Sequence, residues 1–185
     1  MKRMILKGAA FVALALVLTS MTGTTADDDF KDEFLDRINA IRRKGCNCGT
    51  QRMAPAPPLV WNYQLEDAAE DHAKDMARRK YFSHESRDGR HIQDRIMNAG
   101  YTYKGFRSFA IAENIAYGQR SIEEVQNGWF KSPGHCKNLM NPDLKEVGVA
   151  EKDNYWVQDF GGRESFTPQQ QQMIKKGARI IQKRG

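Results

Sequence analysis

Residues 129–142, WFKSPGHCKNLMNP, set a histidine and a cysteine side by side, His135 and Cys136, directly behind Ser132-Pro133-Gly134. Just upstream, Ser121-Ile122-Glu123-Glu124 has the form of a capping box: the serine hydroxyl accepts from the Glu124 backbone and the Glu124 side chain reaches back. A helix therefore starts at Ser121, with Val125 and Trp129 turned inward at helical spacing. Pro133 and Gly134 are a tripeptide's worth of helix breaker together with Ser132, and they are expected to end that helix sharply.

Working outward, residues 146–162 (EVGVAEKDNYWVQDFGG) alternate, carry β-branched and aromatic side chains, and contain the polar turn Glu151 to Asn154, which predicts a two-stranded hairpin. Residues 106–118 are expected to add a third extended segment. Helices are predicted over 30–43, from the apolar stripe Phe30, Phe34, Leu35, Ile38 and Ile41, and over 64–80. In the second of these, Leu65, Ala68, Ala69, His72, Ala73, Met76 and Ala77 make a narrow small-residue face suited to close packing. A short helix is expected over 91–99, and GCNCGTQRMAPAPP reads as a loop. Helices first and a hairpin late argue for a mixed α+β domain, an antiparallel sheet covered by helices; the alternation needed for a doubly wound parallel sheet is missing.

The chain of 185 residues has room for one such domain. Residues 1–26 have the order of a secretory signal peptide: Lys2, Arg3 and Lys7, an apolar run from Ala9 to about Met21, then small residues ending at Ala26. The run is shorter than the roughly 20 apolar residues of a span, so cleavage near Ala26 is expected and no stable membrane span after it. Without this segment 26 basic residues face 23 acidic ones, a net +3, and the cations are scattered rather than interleaved with aromatics, which argues against nucleic acid. Residues 164–185 form a basic tail, with Lys175, Lys176, Arg179, Lys183 and Arg184 among Met173, Ile174, Ile180 and Ile181; it reads as a solvated face or a docking segment. Export, secreted or periplasmic, makes Cys46, Cys48 and Cys136 candidates for one disulfide and one free thiol, with one of the first two reaching Cys136, because an i,i+2 bridge would strain the loop between them. Zinc at CNC is the weaker reading, since paired cysteine ligands normally stand further apart.

Four histidines occur. His72 lies on the apolar stripe of the 64–80 helix and reads as a hydrogen-bonded core residue, and His91 as a solvated residue where a helix begins. His84 and His135 sit where helical patterns stop, places from which functional groups project.

YFSHESRDG, AENIAYGQRSIEEVQNGWFKSPGHCKNLMNP and YWVQDFGG follow in this order behind a helix ending HAKDMA. Together they resemble a bacterial member of the CAP superfamily, named for cysteine-rich secretory proteins, antigen 5 and pathogenesis-related plant proteins. The resemblance covers roughly Phe34 to Gly162 and assigns residues 27–163 to a CAP domain. It implies a three-layer α-β-α sandwich whose cleft gathers histidines and acids: His84 from YFSH, Glu113 from AEN and His135 from PGH. Ser132 stands where animal and plant relatives carry a second glutamate, which weakens any mechanism that needs two carboxylates. It further implies a Cys48–Cys136 bridge, with His135 turned back into the cleft and Cys136 tethered on the other side.

His84, His135 and Glu113 are thus the expected holders of zinc or another divalent cation, Glu113 either as a ligand or orienting one ring through its other nitrogen. The function implied is that of a secreted, non-enzymatic binding module for a small apolar, peptide or wall-derived ligand. The alternative is a hydrolase, metal-assisted or with Ser132, His135 and Glu113 as nucleophile, base and orienter. The chain lacks the G-x-S-x-G elbow, so a helix-terminal role for Ser132 is the simpler reading.

Overall fold

The computed structural model describes residues 26–177 and the backbone of residues 183 and 184. The expected signal peptide, residues 1–26, lies outside the described residues except for Ala26. In chain order the elements are α1 (Ala26–Lys44), β1 (Cys46–Cys48), β2 (Gln51–Met53), β3 (Val60–Trp61), α2 (Tyr63–Arg79), α3 (Ile92–Asn98) and β4 (Phe106–Tyr117). There follow α4 (Ile122–Lys131), α5 (Pro133–Met140), β5 (Glu146–Lys152), β6 (Tyr155–Ser165), α6 (Pro168–Lys175) and β7 (Lys183–Arg184).

β4, β6 and β5 form the antiparallel centre of a sheet ordered β3-β5-β6-β4-β7, in which the two-residue outer strands run parallel to their neighbours. Alternation along the strands sorts the core into two layers. Val147, Val149, Trp156 and Phe160 face Phe34, Ile38, Ile122, Val125, Trp129 and Leu139 of α1, α4 and α5. Ile115, Ala150 and Val157 face Ala69, Ala73 and Met76 of α2, and Leu65 and Ala68 join Ile96 of α3. This is the α-β-α sandwich. The alanine face lets α2 lie close to the sheet, and at Gly148 a Cβ would stand 2.0 Å from the Glu66 nitrogen, so only glycine fits there.

Two local expectations are corrected. Residues 46–53 contain a small hairpin, β1 with β2, inside the stretch read as loop; Gly49 turns it at a φ of 63°. Ser132-Pro133-Gly134 ends α4 but also opens α5. Ser132 is the last cap of one helix and the first of the next, and Pro133 sits at the first helical position, where its missing N–H costs nothing and its fixed φ is already helical. His135 is therefore held on the first turn of a helix.

Arg42 fixes the far end of that helix. It is fully buried and donates to the carbonyls of Pro57, Leu139, Asn141 and Leu144. Burial lowers its pKa to about 10, far enough above neutrality that it stays a cation. At the other end of the chain, α6 buries none of its side chains, whereas the backbone of Lys183 and Arg184 beyond it pairs with β4 as β7.

Candidate functional site: a cleft between two histidines

The site forms along β4 past its short pairing with β7, at Glu113 and Asn114. Asn138 on α5 donates to the Glu113 carbonyl at 3.3 Å and to Asn114 Oδ1 at 2.9 Å. Asn114 in turn donates to the His135 carbonyl at 3.4 Å and to Gln158 Oε1 at 3.1 Å. This row of amides seats α5 against β4 and brings His135 to one wall of a cleft of about 540 Å³.

The opposite wall is the segment after α2. His72, buried on the apolar stripe as expected, bonds the Ser83 carbonyl through Nε2 at 2.9 Å and so pins the residue before His84. Burial, and after it the charge of Arg95, lowers the His72 pKa. Arg95, buried on α3, donates to the carbonyls of His84 and Arg90 and to the Ser86 hydroxyl, which shapes the rest of the segment.

Glu113 joins the two halves. Its buried carboxylate accepts from Arg95 at 2.6 Å through Oε2 and meets His84 Nδ1 at 2.7 Å through Oε1. Because a carboxylate accepts, Nδ1 of His84 carries the proton and Nε2 is left as the lone-pair nitrogen on a ring that is 57% exposed. His135 lines the same cleft, and its pKa is lowered by burial first and by neighbouring His84 second, which favours the neutral, ligating form. Phe82, Ile92 and Ile115 supply apolar lining.

Among the described residues the only group of three ligand-type side chains whose donor atoms all lie within 4.8 Å of one another is Cys46, Cys48 and Cys136. His84 and His135 line one cleft with Glu113 buried behind His84, but the three do not converge that tightly, and both Glu113 oxygens are already engaged. The arrangement thus offers two imidazoles to a cation, with Glu113 behind one of them. Ser132 is not in the lining of the cleft and its hydroxyl caps nothing; among the described residues it makes no bond to His135.

Directly across the strands from Glu113 lies Asp159, fully buried, with no hydrogen-bond partner of good geometry on either oxygen. Burial, and after it the charge of Glu113, raises its pKa well above the usual carboxylate range and favours the protonated form.

Sequence reasoning missed Arg95, Asn138 and Asp159, whose roles depend on partners far along the chain. It also set His91 aside: exposed at the start of α3, His91 nevertheless lines the cleft. One signal was available, because Gln158 and Asp159 are polar residues inside an otherwise apolar strand run, a place where polar groups need a reason.

On the far side of α5, Cys48 and Cys136 form a disulfide across 88 residues with a Cα separation of 5.4 Å, and Cys46 is free. Among the described residues no helix is long and apolar enough to cross a membrane.

Comparison with known proteins agrees with this architecture. The profile of the CAP family, described as the cysteine-rich secretory protein family, matches residues 35–160. Two curated proteins of Bacillus subtilis are similar: the uncharacterised protein YkwD, 35% identical over 108 residues and 57% of this chain, and the uncharacterised membrane protein YlbC, 31% identical over 128 residues and 69% of it. The chain spans only 40% and 33% of their respective lengths. Among solved structures, an extracellular protein containing an SCP domain from Bacillus anthracis superposes with a TM-score of 0.60 at 28% identity, over 75% of this chain and 44% of that one. An outer surface protein of Borrelia burgdorferi gives 0.59 at 23% identity, over 76% and 97%, a likeness of fold. With the sandwich and the matched span in agreement, the chain belongs to the CAP family of cysteine-rich secretory proteins.

Proposed function

We propose that this protein is an extracellular, non-enzymatic binding module whose cleft holds a divalent cation, zinc in the first instance, between His84 and His135. The observation that carries the reading is the 2.7 Å contact of His84 Nδ1 with a buried carboxylate, which fixes the tautomer and turns Nε2 outward, the arrangement that supports imidazole ligands of metals. Two protein ligands leave the remaining positions to water or to a bound molecule. Phe82, Ile92 and Ile115 would then contact the apolar part of a small ligand or peptide carrying a metal-seeking group. Extracellular placement rests on the leader-like first 26 residues and on the surface or extracellular character of the structural neighbours. A serine hydrolase is not favoured, because Ser132 stands apart from the cleft lining.

Calorimetric zinc titration of the oxidised protein tests this. One site is expected, lost in His84→Ala and in His135→Ala, and weakened about 10–100-fold in Glu113→Gln, as loss of a partner behind a ligand does elsewhere. Equal binding by wild type and both histidine variants would refute the site.

A further inference from the structure

The three-cysteine cluster lies outside the cleft and takes no part in the function proposed above. Cys46 and Cys48 occupy alternate positions of β1, which puts both side chains on one face of the strand, toward Cys136 on the first turn of α5. Cys46 Sγ stands 3.8 Å from Cys136 Sγ. A metal–sulfur bond of about 2.3 Å in tetrahedral geometry gives a sulfur-to-sulfur edge of roughly the same length. The surroundings are soft and dry: Cys136 and Met140 are fully buried, Ile41 and Phe130 pack on them, and Met53, the cross-strand partner of Cys46, adds a second thioether. No histidine or carboxylate belongs to this group.

We propose that reduction of Cys48–Cys136 converts the cluster into a binding site for one Cu(I) ion, ligated by Cys46, Cys48 and Cys136. Thiolates and thioethers select soft ions, and Cu(I) is satisfied by three sulfurs, whereas a structural zinc site needs a fourth ligand that the cluster lacks. A dithiol reductant supplies the two electrons and two protons: its own disulfide forms as the Cys48–Cys136 bond breaks. The thiols then release protons to solvent as copper–sulfur bonds form, and copper keeps its oxidation state. Burial pushes the Cys46 thiol up and the charge of Arg52 offsets only part of that, so it is the metal that displaces the proton. In the oxidised chain two of the three ligands are consumed by the disulfide, so metal binding reports the redox state of the protein.

The test uses the full chain, reduced with a dithiol, desalted anaerobically and titrated against Cu(I) held by a chromogenic chelator, with copper X-ray absorption on the product. Reduced wild type is expected to withdraw one equivalent into an all-sulfur shell, and oxidised wild type none. Cys46→Ser is expected to bind at least about 100-fold more weakly, the upper end of what losing even an outer partner costs, while His84→Ala and His135→Ala match wild type. The proposal is overturned by reduced protein that leaves copper with the chelator, by equal uptake in Cys46→Ser, by nitrogen ligands dependent on the cleft histidines, or by uptake of zinc but not copper. It is equally overturned if far-ultraviolet circular dichroism shows the reduced chain unfolded both with and without copper.

Discussion

Burial decides how His72 and His135 behave near neutral pH. His72 and His135 both have lowered pKa values, desolvation being the larger cause in each. An imidazole lowered in the fold takes up its proton in the unfolded chain first. The stability it contributes is complete well above the ordinary value of 6.5 and is lost as pH falls through that value toward the folded one. Asp159 acts with the opposite sign, since a carboxyl raised in the fold binds a proton the unfolded chain has already released. In an Asp159→Asn background the histidine contribution should therefore stand alone: the urea midpoint is predicted to fall between about pH 7.5 and 5.5, and to fall less when His72→Gln is added. A fall of the same size in both proteins would show that His72 does not contribute it. Glu146, whose pKa is lowered mainly against its own burial by Arg163 and Tyr101, loses its contribution only below the ordinary carboxylate value and stays out of this window.

At the scale of elements, the position of His135 depends on α5 being held at both ends, by the Asn138–Asn114–Gln158 amides and by Arg42. Replacing Arg42 with methionine leaves four carbonyls without their donor, those of Leu139 and Leu144 buried, at about 1–3 kcal/mol for each buried unsatisfied group, partly offset by removing a buried cation. A net loss of about 3 kcal/mol is predicted, roughly 6–12 °C in melting temperature for a domain of this size, with Arg42→Lys restoring only part because lysine cannot reproduce the planar fork. Thermal melts that place Arg42→Met within a degree of wild type would contradict this role. The elements themselves were largely legible in the chain. The stripe of α1, the alanine face of α2, the Ser121 cap and the hairpin of β5 and β6 are local patterns, and each appears within a few residues of its expected place. What stayed hidden was non-local or double-valued. Pro133 signals the end of one helix and the start of another with equal force, and β1 with β2 exists in a Gly- and Pro-rich stretch because α5 is tethered beside it. For the site, the motif carried His84, Glu113 and His135, whereas Arg95 and Asn138 are defined only by what the fold brings to them.

For the molecule as a whole, two devices hold the sandwich closed around the cleft. The first is the two-sided core. The second is the Cys48–Cys136 bond, which closes an 88-residue loop and, by loop-closure entropy, is worth on the order of 4 kcal/mol. A Cys48→Ala/Cys136→Ala double variant is predicted to lose about that much in urea unfolding, with a slope no smaller than that of the wild type because the uncrosslinked unfolded chain is more open. A loss under about 1 kcal/mol would show that the bridge constrains the chain far less than its span implies. Since His135 immediately precedes Cys136, the same bond also limits where the cleft wall can move.

The most direct test of the cleft is long-range proton–nitrogen NMR of the histidine rings in the oxidised protein, recorded without and with one equivalent of zinc. The geometry predicts that His84 starts as the Nδ1-protonated tautomer, that zinc shifts Nε2 of His84 together with one nitrogen of His135, and that buried His72 is unmoved. A His84 protonated on Nε2 before zinc, or zinc shifts confined to His91 or absent from His135, would contradict the account.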